Sequence, residues 1–297
     1  MAPAPVADPV KKDRLAHMAV RHNFKELEAG RPDYLGHGKP IEVTKSPNPH
    51  WQYGQGASDG GASLDKVHRE IDPYGEGRHW IANYRLLTSG IVPRPIGLIS
   101  TITADGKKNL STFSYFQVIA HDPPMFIVGL AARPGGRAKD TYYGLQETGE
   151  CVINTVSEHM AEAASATSID APYDISEWDI SGFHEAPSRK VKPSRVKESV
   201  FSIEGKVVDI KEFTDPDKPE MSVMSLILIK AAHYWIHEDA VNDDATHIDI
   251  NKLRPVGQLG GLAFATLAST FEMPRGRWND EQSKDSMVSA LQKNRAA

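Results

Sequence analysis

The sequence predicts a mainly β fold: a barrel with peripheral helices, preceded by an extension that is first helical and then irregular. Three observations predict it. Runs rich in Val, Ile, Leu and Thr recur between residues 96 and 237, with few helical stretches between them, and such runs favour strands. No repeating strand–helix–strand rhythm joins them, which argues against a doubly wound parallel sheet. Residues 34–80 are rich in Gly, Pro, His, Ser and aromatics and show no sustained period. The chain therefore divides into an extension at 1–80, a barrel domain at 81–270 and a polar tail at 271–297.

Taken in order, residues 11–29 have helix-forming composition, with Leu15, Met18, Phe24 and Leu27 on a loose apolar stripe and a stop at Gly30-Arg31-Pro32. Within 34–80, Trp51, Tyr53, Tyr74 and Trp80 suggest an arm pinned by aromatic anchors, because aromatic side chains bury large areas. A disordered leader is the alternative. Pro93 and Pro95 bracket Arg94 and hold that entry extended. Residues 96–102 read as a strand, and Asp105-Gly106 as its turn. The turn feeds a polar, hydroxyl-rich loop at 109–116, and residues 125–130 read as a second strand. Residues 142–147 form a short amphipathic helix stopped by Gly149. Its start lies beside Arg133, Arg137 and Lys139. A helix start offers free N–H groups and a positive dipole end, so this is a candidate phosphate site. Residues 150–156 read as a strand, with Ser157 as the N-cap of a helix through Met160, Ala161 and Ala164. Residues 168–197 are loop-rich, with Trp178 and Phe183 as anchors. Residues 201–210 and 222–237 read as further strands.

Several of these pieces, in their order along the chain, resemble a known family. They are Pro93-Arg94-Pro95-Ile96, Ser100-Thr101, Asp105-Gly106 with Asn109 and Phe113-Ser114, Phe116, Asp122-Pro123-Pro124 and Lys139-Asp140-Thr141. The set is similar to the flavin reductase-like group of FMN-binding split barrels, which includes flavoredoxin and the reductase components of two-component monooxygenases. The resemblance covers about residues 80–265. It implies a split β-barrel that binds FMN at the interface of a homodimer. It also implies an FMN-dependent oxidoreductase, reduced by NAD(P)H, that serves a small-molecule acceptor or a monooxygenase partner. An FMN-binding electron carrier or storage protein without its own turnover is the alternative. By the same resemblance Ser100, Thr101, Asn109, Ser111, Thr112, Phe113, Ser114 and Tyr115 line the flavin, with Pro93, Arg94 and Pro95 at the entry. Arg137, Lys139 and Thr141 face its phosphate, Asp140 belongs to the same cofactor site, His233 lies on a strand that approaches the flavin, and Gly260 belongs to the closing motif. Gln258 stands where that motif commonly has Arg. For Arg137 and Lys139, solvated surface cations are the competing reading. For His233 it is a half-buried sheet histidine.

Other classes find little support. A net charge of −5 makes no general case for nucleic acid. No apolar run approaches the roughly 18 residues a membrane helix needs. The first residues lack a basic region followed by an apolar core, so no secretory signal is expected. The single cysteine, Cys151, has no internal partner, which suits a reducing compartment such as the cytosol. It reads as a small core residue rather than a redox thiol. His233, His237, His247 and Asp249 suggest a metal at first sight. However, on a strand four residues span about 13 Å, too far for the first pair to share an ion. No metal site is expected. Walker A, His-Glu-x-x-His and Gly-x-Ser-x-Gly patterns do not occur. Flavin does the redox chemistry itself, so no catalytic side chain is expected.

Overall fold

The computed structural model describes residues 24–34, 36, 38–132, 138–215 and 218–296. Two compact units emerge. One holds residues 81–266 together with helix α1 (Phe24–Ala29), and the other consists of Gly38–Trp80 and Leu267–Ala297. Of the helix expected at 11–29, α1 is the part within the described residues. Strand β1 (Glu42–Thr44) belongs to the smaller unit. Helix α2 (Trp80–Gly90) leads into the larger one. No element was expected where α2 stands.

The larger unit is built on a seven-stranded sheet. After the short β2 (Arg94–Pro95) come β3 (Gly97–Ile102), β4 (Lys108–Phe113), β5 (Phe116–His121) and β6 (Pro124–Ala131). Helix α3 (Asp140–Thr148) is followed by β7 (Glu150–Thr155), then a 3-10 turn at Glu158–Met160, α4 (Ala161–Ala166) and α5 (Glu177–Ser181). The small pair β8 (Glu185–Ala186) and β9 (Arg195–Val196) precedes the long β10 (Phe201–Asp215) and β11 (Lys218–Ile236). The sheet order is β4-β3-β7-β10-β11-β6-β5, and every pairing is antiparallel. This is the mainly β architecture with peripheral helices that the sequence predicts.

The hydroxyl-rich stretch at 109–116 is not a loop. It is strand β4, a bend at Ser114-Tyr115, and the start of β5. Its Ser, Thr and Asn content reads as loop, yet β4 pairs with β3 over six positions, from Gly97↔Phe113 to Ile102↔Lys108. Leu110 and Phe113 anchor it in the interior. Gly106 makes the turn with φ +90, a conformation glycine adopts freely. Ser157 stands at an N-cap position, but that of a 3-10 turn rather than of α4 itself, and its hydroxyl makes no cap bond.

Strand β3 is buried on both faces. Ile99 lies in a core with Phe126, Val128, Cys151, Ile227 and Ile229, whereas Leu98 lies in a second core with Leu110, Met160, Trp178 and Val196. Helices α3 and α5 pack near β4 from these two cores. Helix α6 (Ile250–Leu253) and strands β12 (Val256–Gln258) and β13 (Phe264–Thr266) close the unit, with β12 pairing both β13 and β2. The smaller unit adds β14 (Ser269–Phe271), parallel to β1, then α7 (Trp278–Glu281) and α8 (Asp285–Ala296). Of the expected aromatic anchors there, Tyr74 is 91% exposed and Trp51 is also exposed, its indole N–H donating to the Gly56 carbonyl.

Candidate functional site

The start of α3 is one end of the site. Its N-cap is Lys139, in extended conformation and without a side-chain cap bond. The Lys139 ammonium lies 5.5 Å from the centre of the Phe113 ring on β4. The helix is docked on the sheet by close packing. A Cβ at Gly144 would come within 2.7 Å of Thr101 Cβ and Oγ1, so only glycine permits this approach. Thr101 is therefore buried beneath α3. Thr141 is buried as well. Its hydroxyl donates to Asn109 Oδ1 at 2.8 Å, while the Asn109 amide NH2 donates to the Glu177 carboxylate at 3.2 Å. Asn109 and Thr141, with Thr101 buried beside them, thus form an internal polar seam at the helix start. Asp140 is buried beside them. Next to Thr141 in the chain, the Tyr142 hydroxyl donates to Glu212; burial first, and then that bond, push its pKa up to about 12.

The remaining residues of β3 and β4 reach other partners. Ser100 Oγ donates to the Ser194 carbonyl at 2.5 Å. Ser111 Oγ donates to the Thr167 carbonyl at 3.4 Å, and the Thr112 and Ser168 hydroxyls share a hydrogen bond of 2.7 Å. Arg137 lies outside the described residues. His233 stands on β11 opposite Glu204 of β10, its ring edge-on to Trp235 at 5.3 Å.

The second end is a cavity of about 380 Å³ between the last turn of α2, the Pro93-Arg94-Pro95 entry, the Ser114-Tyr115 bend and the sheet. Pro93, Arg94, Pro95, Ser114 and Tyr115 all line it. Gly257 fits β12 against the entry, since a Cβ there would lie 2.7 Å from Pro93 Cβ. Gly260 packs on Ser89 in the same way, with 3.0 Å to Ser89 Cα. The Arg94 side chain is turned inward and donates to the carbonyls of Thr88, Ile91 and Leu259. Leu87, Ile91, Phe116 and Ile127 share the lining, and sequence reasoning missed all four. The i, i+4 spacing of Leu87 and Ile91 was the available signal. Ile127 carried none, because it meets the others only through the sheet. Among the described residues no group of His, Cys, Asp and Glu is arranged to hold a metal.

Of the predicted site residues, one set lies at the start of α3, one lines the cavity, and Ser111 and Thr112 lie on β4. Ser100 and His233 reach other partners, Gly260 packs on Ser89, and Arg137 lies outside the described residues.

Comparison with known proteins gives this arrangement a context. Residues 89–253 match the model of the flavin reductase like domain, over half of the chain. An uncharacterised protein of Halalkalibacterium halodurans is 32% identical over 193 residues, covering 65% of this chain and 90% of its own length. Among solved structures, nitrilotriacetate monooxygenase component B from Bacillus cereus superposes with a TM-score of 0.65 at 24% identity, covering 70% of this chain and 100% of that one. A split-barrel protein of Shewanella frigidimarina gives 0.60 at 20% identity, with 71% and 100% coverage. These likenesses make the fold a split barrel. With the family match across the sheet, both ends of the site and the strand between them, the chain belongs to the flavin reductase-like family.

Proposed function

We propose that this protein binds FMN and acts as a flavin reductase in the cytosol, taking electrons from NAD(P)H and passing them to a small-molecule acceptor or a monooxygenase partner. The observation that carries the reading is the start of α3. A nine-residue helix begins there with no side-chain cap at its N-cap, and the N-cap residue is itself a lysine. Helix N–H groups and an ammonium suit a phosphate dianion. Nearby, β4 carries the Ser111 and Thr112 hydroxyls, which suit a polyol chain. These residues fit FMN better than an uncharged flavin.

Bound flavin supplies the redox chemistry. The chain's own residues bind and orient it. Lys139 and the first turn of α3 hold the phosphate. Ser111 and Thr112 steady the chain behind it. The seam of Asn109 and Thr141, with Thr101 beside them, keeps the helix start in place. The role needs no side-chain nucleophile or acid–base pair. We further propose that the active form is a homodimer.

The absorption spectrum of the purified protein, recorded before and after NADH or NADPH, tests the reading. Flavin bands that bleach with steady turnover of the nicotinamide are expected. Bands that bleach once without turnover indicate an electron carrier. A colourless protein that takes up no added FMN defeats the proposal.

A further inference from the structure

We infer that the cavity over Arg94 is a binding site for a small aromatic monocarboxylate, separate from the phosphate end of the flavin site. A guanidinium carries one full charge and five N–H donors. In Arg94, Nη1 donates to the Thr88 carbonyl at 2.6 Å and the Ile91 carbonyl at 3.0 Å. Nη2 donates to the Leu259 carbonyl at 3.0 Å and Nε to Ser114 Oγ at 3.3 Å. These bonds use four of the five donors. One N–H on Nη2 has no acceptor among the described residues, and no carboxylate pairs with the charge. Yet the residue is only 8% exposed. A buried charge is costly unless it is paired, and carbonyl dipoles stabilise it without neutralising it. A carboxylate entering the cavity supplies the counter-charge and accepts the remaining N–H.

The walls define the rest of the ligand. The cavity, about 380 Å³, lies in the lower part of the range of roughly 300–1,000 Å³ for small-molecule pockets. Among the described residues Arg94 is the one charged residue lining it, so a second negative charge on the ligand finds no partner there. Pro93 and Pro95 present ring faces. Phe116 presents another, its ring stacked on Phe126 at 6.0 Å and 16°. Gly97 lets that ring lie back, since a Cβ there would stand 3.2 Å from it. A planar ring makes the largest contact with such faces. Tyr115 adds a neutral hydroxyl: burial first, and then the neighbouring Tyr84, hold its pKa above the usual phenol value. The inference concerns the cavity alone, so it and the flavin reading can fail separately.

Benzoate and benzamide have similar shapes and differ in charge. Both are titrated calorimetrically into the purified full-length protein, with the flavin content of the same sample read by absorbance. Benzoate is expected to bind saturably and at least about tenfold more tightly than benzamide. Arg94→Met is expected to abolish that preference. Because this substitution also removes bonds to three carbonyls, Ile91→Trp provides a second test with the guanidinium intact. Ile91 is largely exposed, so a larger side chain there narrows the cavity without disturbing a core, and a loss of about tenfold in benzoate affinity is expected. Equal affinity for the two probes, benzoate binding unmoved by Ile91→Trp, or competitive displacement of benzoate by FMN each overturns the proposal. The last result assigns the cavity to the flavin.

Discussion

At the scale of the residue, two charged groups make opposite kinds of prediction. Lys139 stands at the N-cap of α3 with its ammonium near the Phe113 ring, and the proposed function gives it the ligand's phosphate. Losing one charge-assisted hydrogen bond costs about 1.5–3 kcal/mol, so Lys139→Ala is expected to weaken FMN by about one to two orders of magnitude. Riboflavin has no phosphate to lose and should bind unchanged. Titrating both at one ionic strength checks this, and an equal loss for the two flavins refutes the phosphate role. Glu204 is an internal case. It is fully buried, and Trp235 Nε1 and the backbone N–H groups of Arg189 and Lys190 all donate to its carboxylate. Burial alone would raise its pKa, but these donors outweigh burial and hold it below the usual glutamate value. A carboxyl depressed in the folded state contributes stability that is complete above its unfolded pKa and is lost as pH falls through the folded one. Glu204→Gln is therefore expected to lower the melting temperature at neutral pH and to flatten its fall on the acid side. Melting curves across the carboxylate range check this; parallel acid limbs for the two proteins count against it.

At the scale of the element, the fit between α3 and β3 links fold to site. Because a Cβ at Gly144 meets Thr101 at 2.7 Å, Gly144→Ala must push the helix off the strand. Overpacking of this kind costs about 1–3 kcal/mol. A lower melting temperature is expected together with weaker FMN binding, since the same helix presents Lys139. Loss of stability with FMN affinity intact would detach the helix from the site. The element scale also shows what the sequence made legible. β3, β6, β7 and β11 are runs of apolar and β-branched residues buried on one or both faces, and β10 alternates over its first ten residues, so the local pattern reveals them. The stop of α3 was equally plain, because Gly149 takes φ +67 as a glycine C-cap does. β4 was misread because Asn109, Ser111 and Thr112 carry loop chemistry. Pairing with β3, which composition does not encode, makes it a strand. α2 buries only Ile81 and Thr88 and leaves Leu86 and Leu87 exposed, so its apolar residues do not single out one face. The site divides in the same way. Lys139 and the Pro93–Pro95 entry belong to local motifs, whereas Ile127 and Glu177 reach their places through tertiary contacts alone.

At the scale of the whole molecule, the larger unit has an unfinished surface. β5 is the last strand of the seven, so among the described residues no further strand pairs with its outer edge. Exposed edges are a site for pairing with another chain. Val118 and Ile119 on this strand are 54% and 50% exposed. On α2, Leu86 is exposed as well. A surface apolar residue standing alone needs no explanation, but adjacent apolar residues on an open edge indicate an association surface. A second copy of the chain would cover this edge symmetrically, as a two-fold interface requires. Light scattering at micromolar concentration is expected to give the mass of two chains. Ile119→Asp places a charge on the edge strand without touching either core, so it is expected to shift the population towards one chain while circular dichroism stays unchanged. The monomer should then lose flavin by dilution faster than the parent protein does if the second copy completes the site. A wild-type mass of one chain rejects the dimer. A dimer unaffected by Ile119→Asp places the interface elsewhere, and a monomeric variant that retains flavin as well as the parent separates assembly from cofactor binding.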